Sequence, residues 1–313
     1  MPEMQTATKS LLIAIPGLLL IATIIGEVLK RRVTSDKSRA TIDNLNARTR
    51  AWWVMAGVFG LALWGGLGAT LTLFGIMSFL ALREMLTLTP TRQGDHRTLF
   101  WAFFVTVPLQ FVLLYWQWYG LFIILIPVYG FLALSIRSAL SGDTTHYMER
   151  APKIYWGLMI CVYCLSHAPA LLILDTGHSP RWHLLAYLVI VVQMSDVLQY
   201  VWGKLLGKRK VVPKLSPSKT WEGLIGGVGT SILLGVLMTS LTPFNYWQSA
   251  LMALAICVMG FFGGLVASAV KRDAGVKDFG HLIEGHGGMM DRVDSLAFAA
   301  PVFYHLTAYY FGV

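Results

Sequence analysis

The residues best suited to chemistry lie together near the C-terminus, in SAVKRDAGVKDFGHLIEGHGGMMDRVDS, residues 268–295. Lys271, Arg272 and Lys277 can neutralise phosphate oxygens. Asp278, Asp291 and Asp294 are hard oxygen ligands for Mg²⁺, an ion that takes few carboxylates and completes its shell with water and substrate phosphate. Asp291 and Asp294 are spaced i,i+3 and share a face on a helix. Gly285, Gly287 and Gly288 let backbone approach a ligand and present N–H groups to an anion, and His286 can donate to a phosphate or a leaving group. Carboxylates, fixed cations and a Gly-Gly turn are the parts of metal-assisted phosphate chemistry. The bland alternative is a salt-bridged interfacial loop, which for Asp273, His281 or Glu284 taken singly is at least as good an account. For the whole block it is the weaker one, because an ionised group beside a bilayer costs about 2.5–3.5 kcal/mol at a helix centre.

Two further constellations lie upstream. In Ser216-Pro217-Ser218-Lys219-Thr220-Trp221-Glu222-Gly223, Pro217 stops regular structure. That puts the hydroxyls of Ser216, Ser218 and Thr220, with Lys219, at the start of an apolar segment. A helix N-terminus plus a lysine is a natural phosphate site, although by itself the stretch also reads as a capped helix start with an interfacial tryptophan. The third constellation is Ser195-Asp196, flanked by Gln193 and Gln199. Asp196 is one of few acids inside an apolar run. It is either a helix–helix hydrogen bond or, because its segment leads into a basic connection, a ligand or metal residue.

The elements that must hold these residues are membrane helices. The chain is 56% hydrophobic and 13% charged, with a mean hydropathy of +0.61. A spanning helix needs about 20 apolar residues. Ten segments qualify: 10–29, 51–66, 68–86, 97–115, 118–136, 154–174, 183–202, 223–241, 248–270 and 295–312. The second and third are divided only by Gly65-Gly66 and Gly68, which leaves nine possible. The expected fold is an all-α polytopic bundle of about ten transmembrane helices. Its parts are an anchor and basic connection (1–50), an apolar scaffold (51–182) and a catalytic region (183–313).

All but Lys9 and Arg181 of the 25 Lys and Arg fall in alternate connections. The positive-inside rule therefore places those connections in the cytoplasm and both termini outside, and it favours ten spans over nine. The first span reads as a retained anchor, because its positive flank follows rather than precedes the apolar run. The net charge of +9 is mostly this bias and gives the inner face affinity for anionic headgroups and phosphates. Nucleic acid is a poor partner, since the basic residues hug membrane ends. Cys161-x-x-Cys164 followed by His167 has a metal-like spacing, but these residues and Cys257 lie in predicted spans, where cysteine ordinarily packs. Gly260-x-x-x-Gly264 and Gly223-x-x-x-Gly227 read as close helix packing.

Taken together, the three constellations resemble the phosphatidate cytidylyltransferase (CDP-diacylglycerol synthase) family. The family signature runs Ser-x-x-Lys-Arg, four residues, Lys-Asp, then His-Gly-Gly, two residues, Asp-Arg-x-Asp. Here it is Ser268, Lys271-Arg272, Lys277-Asp278, His286-Gly287-Gly288, Asp291-Arg292 and Asp294. The family's Ser-Pro-Lys-Lys-Thr-x-Glu-Gly resembles Ser216 to Gly223, with Ser218 in place of the first Lys, and its Ser/Asn-Asp resembles Ser195-Asp196. The chain departs where the family commonly has Gly-Asp, with the Asp implicated in metal binding; here the pair is Gly263-Gly264, followed by Ala267 where a Glu is often found. Glu284 replaces the usual Pro. A divergent member is therefore expected.

The resemblance implies transfer of CMP from CTP to phosphatidate with Mg²⁺, giving CDP-diacylglycerol and pyrophosphate. It implies a bacterial inner-membrane location with the site on the cytoplasmic side. Asp291 is then the leading metal ligand, supported by Asp294, Asp278 and Asp196. Lys219, Lys271, Arg272, Lys277, Ser216 and Thr220 hold phosphates. Arg292 orients the carboxylates, and Ser218, Ser268 and His286 supply hydrogen bonds. Membrane lipids surround the protein, and a helix-packed homodimer is compatible with the sequence. Two alternatives stand beside this reading: a CTP-dependent lipid kinase or a cytidylyltransferase for another lipid phosphate, and a non-catalytic lipid-binding or transport protein. Gly264 is the best support for the latter.

Overall fold

The computed structural model describes residues 2–33, 36–177, 180–282 and 287–311. Ten helical rods follow one another among them. They are α1 (Pro2–Arg32), α2 (Asp36–Trp64), α3 (Gly66–Thr87), α4 (Gln93–Tyr115), α5 (Tyr119–Ala139) and α6 (147–170), then α7 (Trp182–Leu205), α8 (Trp221–Leu237), α9 (Tyr246–Asp273) and α10 (Met290–Phe311). The rods match the ten apolar segments in order. The doubtful pair separates at Gly66, whose φ of +77° is a left-handed conformation that glycine adopts without strain. Thr70 then donates from α3 to the Ala62 carbonyl of α2 at 3.0 Å.

By length and composition, α1, α3, α4, α5, α7 and α9 can each cross a bilayer. The other four are more polar or shorter. In α2 the apolar stretch begins only at Ala51, α8 has 17 residues, α6 opens on Tyr-Met-Glu-Arg, and α10 opens on Met-Asp-Arg-Val-Asp. The protein is an all-α integral membrane bundle, and the short apolar rod α8 and the more polar start of α10 begin at the candidate chemistry.

The sequence suggests only an irregular basic connection between α7 and α8. The structure places a two-stranded antiparallel hairpin there, β1 (Lys210–Val212) against β2 (Ser216–Thr220), pairing Lys210 with Thr220 and Val212 with Ser216. The Val-Val pair favours a strand, Pro213 supports the reversal, and Pro217 is tolerated because a two-stranded ribbon has only edges. Thr220 ends β2 and caps α8, its Oγ1 accepting from Gly223 N–H at 3.1 Å. The hairpin thus fixes where Lys219 stands relative to the helices.

Helices α7 to α10 pack tightly because glycines remove side chains at the crossings. A Cβ at Gly227 would lie 2.6 Å from the Gln199 backbone N, and one at Gly263 would lie 2.6 Å from the Asp294 carbonyl oxygen. Gly263→Ala is therefore expected to destabilise the bundle by about 1–3 kcal/mol, the usual cost of overpacking. Gly229→Ala, in open space on the same bundle, should be neutral or slightly stabilising. Thermal unfolding in detergent of both variants checks this, and an unchanged midpoint for Gly263→Ala would contradict the close packing.

Beneath the site, the buried Cys161 thiol sits 3.6 Å from both Met85 and Met290 sulfur atoms, so it packs as a small apolar group. Arg150 of α6 pairs with Asp95 at 2.9 Å and Asp143 at 3.4 Å, tying the first turn of α4 to the connection after α5.

Candidate active site

Five elements meet at one end of the bundle: the C-terminal ends of α3 and α9, the N-terminal ends of α8 and α10, and the hairpin. Asp196 lies further in, along α7. It faces Ser295, and its charged neighbours are Asp294, Lys219 and Arg292. Three segments far apart in sequence thereby bring their polar residues together.

Lys219 reaches inward from β2. Its Nζ donates to the Phe261 carbonyl at 3.2 Å and lies 4.5 Å from the centroid of the Phe261 ring. Burial pulls the Lys219 ammonium below its ordinary pKa, while Asp196 and Asp294 oppose that shift. Room for the ammonium comes from Gly264, where a Cβ would stand 2.8 Å from Nζ. Where the resemblance led to an acid being expected, Gly264 instead leaves room for the lysine of another segment.

Asp291 is the most heavily partnered carboxylate. One oxygen accepts from Lys271 Nζ at 2.7 Å; the other accepts from Phe279 N–H at 2.8 Å and Gly288 N–H at 3.0 Å. The pair is well buried, with side-chain exposures of 13% for Lys271 and 5% for Asp291. The amide of Gly288, one that could face a phosphate, is thus given to Asp291. Gly287 has a φ of +79°, and a side chain there would press on Asp291, so only glycine suits this turn.

Asp294 is held differently. Its Oδ1 accepts from Ser295 N–H at 2.7 Å, and neither Asp294 nor Asp196 forms an ion pair within 4.0 Å among the described residues. Two neighbouring carboxylates with free lone pairs suit a hard cation. Arg292 has a buried Nε without a partner, beside Asp294, Asp291 and Arg48 of α2.

The remaining predicted residues are on the rim or engaged elsewhere. Arg272 is exposed and donates to the Leu215 and Val276 carbonyls at 3.4 and 3.2 Å. Lys277 and Asp278 are exposed, with Asp278 Cβ against Gly287. Ser268 donates back to the Gly264 carbonyl of its own helix at 2.7 Å. Ser216 is buried and Ser218 exposed on the hairpin, and Thr220 is spent as the cap. His286 lies outside the described residues, as do Gly285 and Glu284.

Sequence reasoning missed Glu84, the one acid of α3, whose carboxylate meets the backbone of residues 289 and 290. It also missed Arg48. An acid within an apolar helix was the available signal for Glu84. Arg48 is one of several basic residues flanking a span, and nothing in its local sequence distinguishes it.

Magnesium binds through one or two carboxylates plus water and substrate phosphate, and Asp196 with Asp294 fits that pattern. Among the described residues no group of three or more His, Cys, Asp or Glu forms a self-contained metal cage.

Comparison with known proteins gives the family of the chain. Residues 46–310 match the cytidylyltransferase family. The chain is 41% identical over 295 residues to the uncharacterized protein YnbB of Escherichia coli (strain K12), covering 94% of this chain and 96% of that protein. It is 30% identical over 247 residues to a phosphatidate cytidylyltransferase of Staphylococcus aureus (strain COL), covering 75% and 88% respectively. A phosphatidate cytidylyltransferase of Synechocystis sp. (strain ATCC 27184 / PCC 6803 / Kazusa) is 46% identical over 113 residues, which span 36% of this chain and 38% of that one. The chain is an integral membrane nucleotidyltransferase belonging to the cytidylyltransferase family.

Proposed function

We propose that this protein transfers CMP from CTP to the phosphate of phosphatidate, forming CDP-diacylglycerol and releasing pyrophosphate, with Mg²⁺ as its metal. One observation carries the reading: Asp196, Lys219 and Asp294 meet from three separate segments beside the Lys271–Asp291 pair. Phosphatidate is the substrate named for the Staphylococcus aureus and Synechocystis relatives. The basic connections argue for a cytoplasmic site in the bacterial inner membrane, where CTP arrives from water and the lipid from the bilayer.

A phosphate oxygen of the lipid attacks the α-phosphorus of CTP; the new P–O bond forms as the bond to the β-phosphate breaks and pyrophosphate departs. No covalent enzyme nucleophile is needed, so the protein positions two polyanions and balances their charge. Asp196 and Asp294 would hold Mg²⁺, which when bound supplies Lewis-acid stabilisation of the reacting phosphates. Lys219 and Arg292 face the same space and hold phosphate oxygens. Asp291 keeps Lys271 directed inward, and Arg272 and Lys277 line the rim that the nucleotide crosses.

Incubation of the purified protein with CTP, phosphatidate and Mg²⁺ tests this, and a CDP-lipid with pyrophosphate is expected. A phosphorylated lipid with CDP would instead mark a kinase. Nucleotide binding without turnover would mark a binding protein.

Gly264 offers a second test. A Cβ at Gly264 crowds only the far end of Lys219, which can swing aside, and meets Ser295 Oγ at an ordinary 3.7 Å, so Gly264→Asp is tolerated there. The added carboxylate should strengthen cation binding by about 1 kcal/mol, lowering the half-saturating Mg²⁺ concentration about fivefold. An unchanged Mg²⁺ dependence would place the ion elsewhere.

A further inference from the structure

Glu84 belongs to the third helix, more than 200 residues before Met289 and Met290, yet it touches the turn that leads into Asp291. Its Oε1 accepts from Met289 N–H at 2.8 Å and its Oε2 from Met290 N–H at 2.8 Å. Both amides belong to the N-terminal end of α10, where the first turn leaves donors without intrahelical partners and the helix dipole favours negative charge. The same carboxylate lies against the two glycines that bracket the loop. A Cβ at Gly280 would come within 2.9 Å of it, and one at Gly288 would collide with it outright.

Asp291 grips this turn from the other side, through Phe279 and Gly288 N–H. The amides of residues 288, 289 and 290 are therefore taken in sequence by two carboxylates, one from α10 itself and one from α3. The adjoining packing has the same origin: Met85, next to Glu84, and Met290 close on Cys161 from either side. Gly287 and Gly288 give the described part of this turn little stiffness of its own. Two charge-assisted hydrogen bonds from a rigid helix supply it.

We infer that Glu84 is a positioning residue for cytidylyl transfer: it anchors the 288–290 turn, and through that turn it sets where Asp291, Arg292 and Asp294 stand. This rests on the proposed reaction, but the anchor itself is measurable without it. The N-terminal helices thus do more than surround the site, since α3 fixes the start of α10.

The test uses the full-length protein in detergent or nanodiscs, as wild type, Glu84→Gln and Glu84→Asp. Glutamine can accept on one oxygen only and turns its NH₂ toward a second N–H donor. Aspartate keeps the charge but is one methylene short. Hydrogen–deuterium exchange is expected to quicken about tenfold or more in peptides covering 287–292 of Glu84→Gln, the scale of losing a charge-assisted bond. Exchange in α5, remote from the contact, should be unchanged. Turnover per folded molecule should fall about 10²-fold, as expected for displaced catalytic groups. KM for CTP and for phosphatidate should move much less, because both oxygens of Glu84 are taken by backbone amides. Glu84→Asp should fall between, and it decides the matter if Glu84→Gln does not fold.

Wild-type exchange at 287–292 in the folded variants would overturn the anchor. Faster exchange with undiminished turnover would overturn the positioning role. If the wild type makes no CDP-lipid, the proposed reaction fails by itself, and the exchange experiment still decides whether Glu84 holds the turn.

Discussion

Asp291→Asn is expected to lower turnover by at least about 10²-fold, the scale of losing one key electrostatic element. It should also destabilise the folded protein by roughly 3–5 kcal/mol, because it leaves a buried cation unpaired. Both losses follow from the three donors that converge on this carboxylate: Lys271 Nζ and the amides of Phe279 and Gly288. Asparagine presents one oxygen and turns an NH₂ toward at least one of those donors. Lys271 would lose its partner and its inward direction, and the Gly287-Gly288 turn would lose a tie. Steady-state rates and thermal unfolding on the same preparations check this. A near-wild-type rate would remove Asp291 from the mechanism, and an unchanged midpoint would show that the ion pair carries no stability.

Asp294→Asn is expected to share the loss of turnover but not the loss of stability. Turnover should fall about 10²–10³-fold, since the charge that would hold the metal is gone. Stability should stay within about 1 kcal/mol of wild type or rise, because two neighbouring partly buried acids repel each other. Asparagine can keep the one hydrogen bond observed, from Ser295 N–H to Oδ1. Asp196→Asn should show the same pattern, with its charged surroundings shared with Asp294. The contrast separates a carboxylate that organises the site from carboxylates that wait for a cation. If Asp294→Asn keeps its rate, the proposed metal pair is wrong. If it unfolds the protein as readily as Asp291→Asn, the two acids have the same structural job.

The helical organisation was largely legible in the residue order. Apolar runs near bilayer length can satisfy their backbone only as helices, and Gly65-Gly66 marked the break between α2 and α3. The glycine spacings in α8 and α9 announced the close crossings that Gly227 and Gly260 make, whereas Gly263 lies outside both spacings. The β1–β2 hairpin was not legible, because Pro217 read as a stop and a two-stranded ribbon leaves little periodic trace in so few residues.

At the site, residue types were legible and partnerships were not. Lys271, Asp291, Lys219, Asp196 and Asp294 were named from chemistry, but nothing in their spacing told that Asp291 takes Lys271 and two amides while Asp294 takes only its neighbour's. Ser268 was credited with a substrate hydrogen bond, and the fold lets it bond to its own helix. Glu84 was hidden because its partners are backbone amides more than 200 residues away, a contact that only tertiary structure creates.

The most direct test follows two labels of CTP through one reaction with phosphatidate and Mg²⁺. With phosphorus-32 at the α-position the label should appear in the lipid product, and with phosphorus-32 at the γ-position it should appear only in pyrophosphate. Label from the γ-position in the lipid, or no lipid label from either, would contradict cytidylyl transfer by this site.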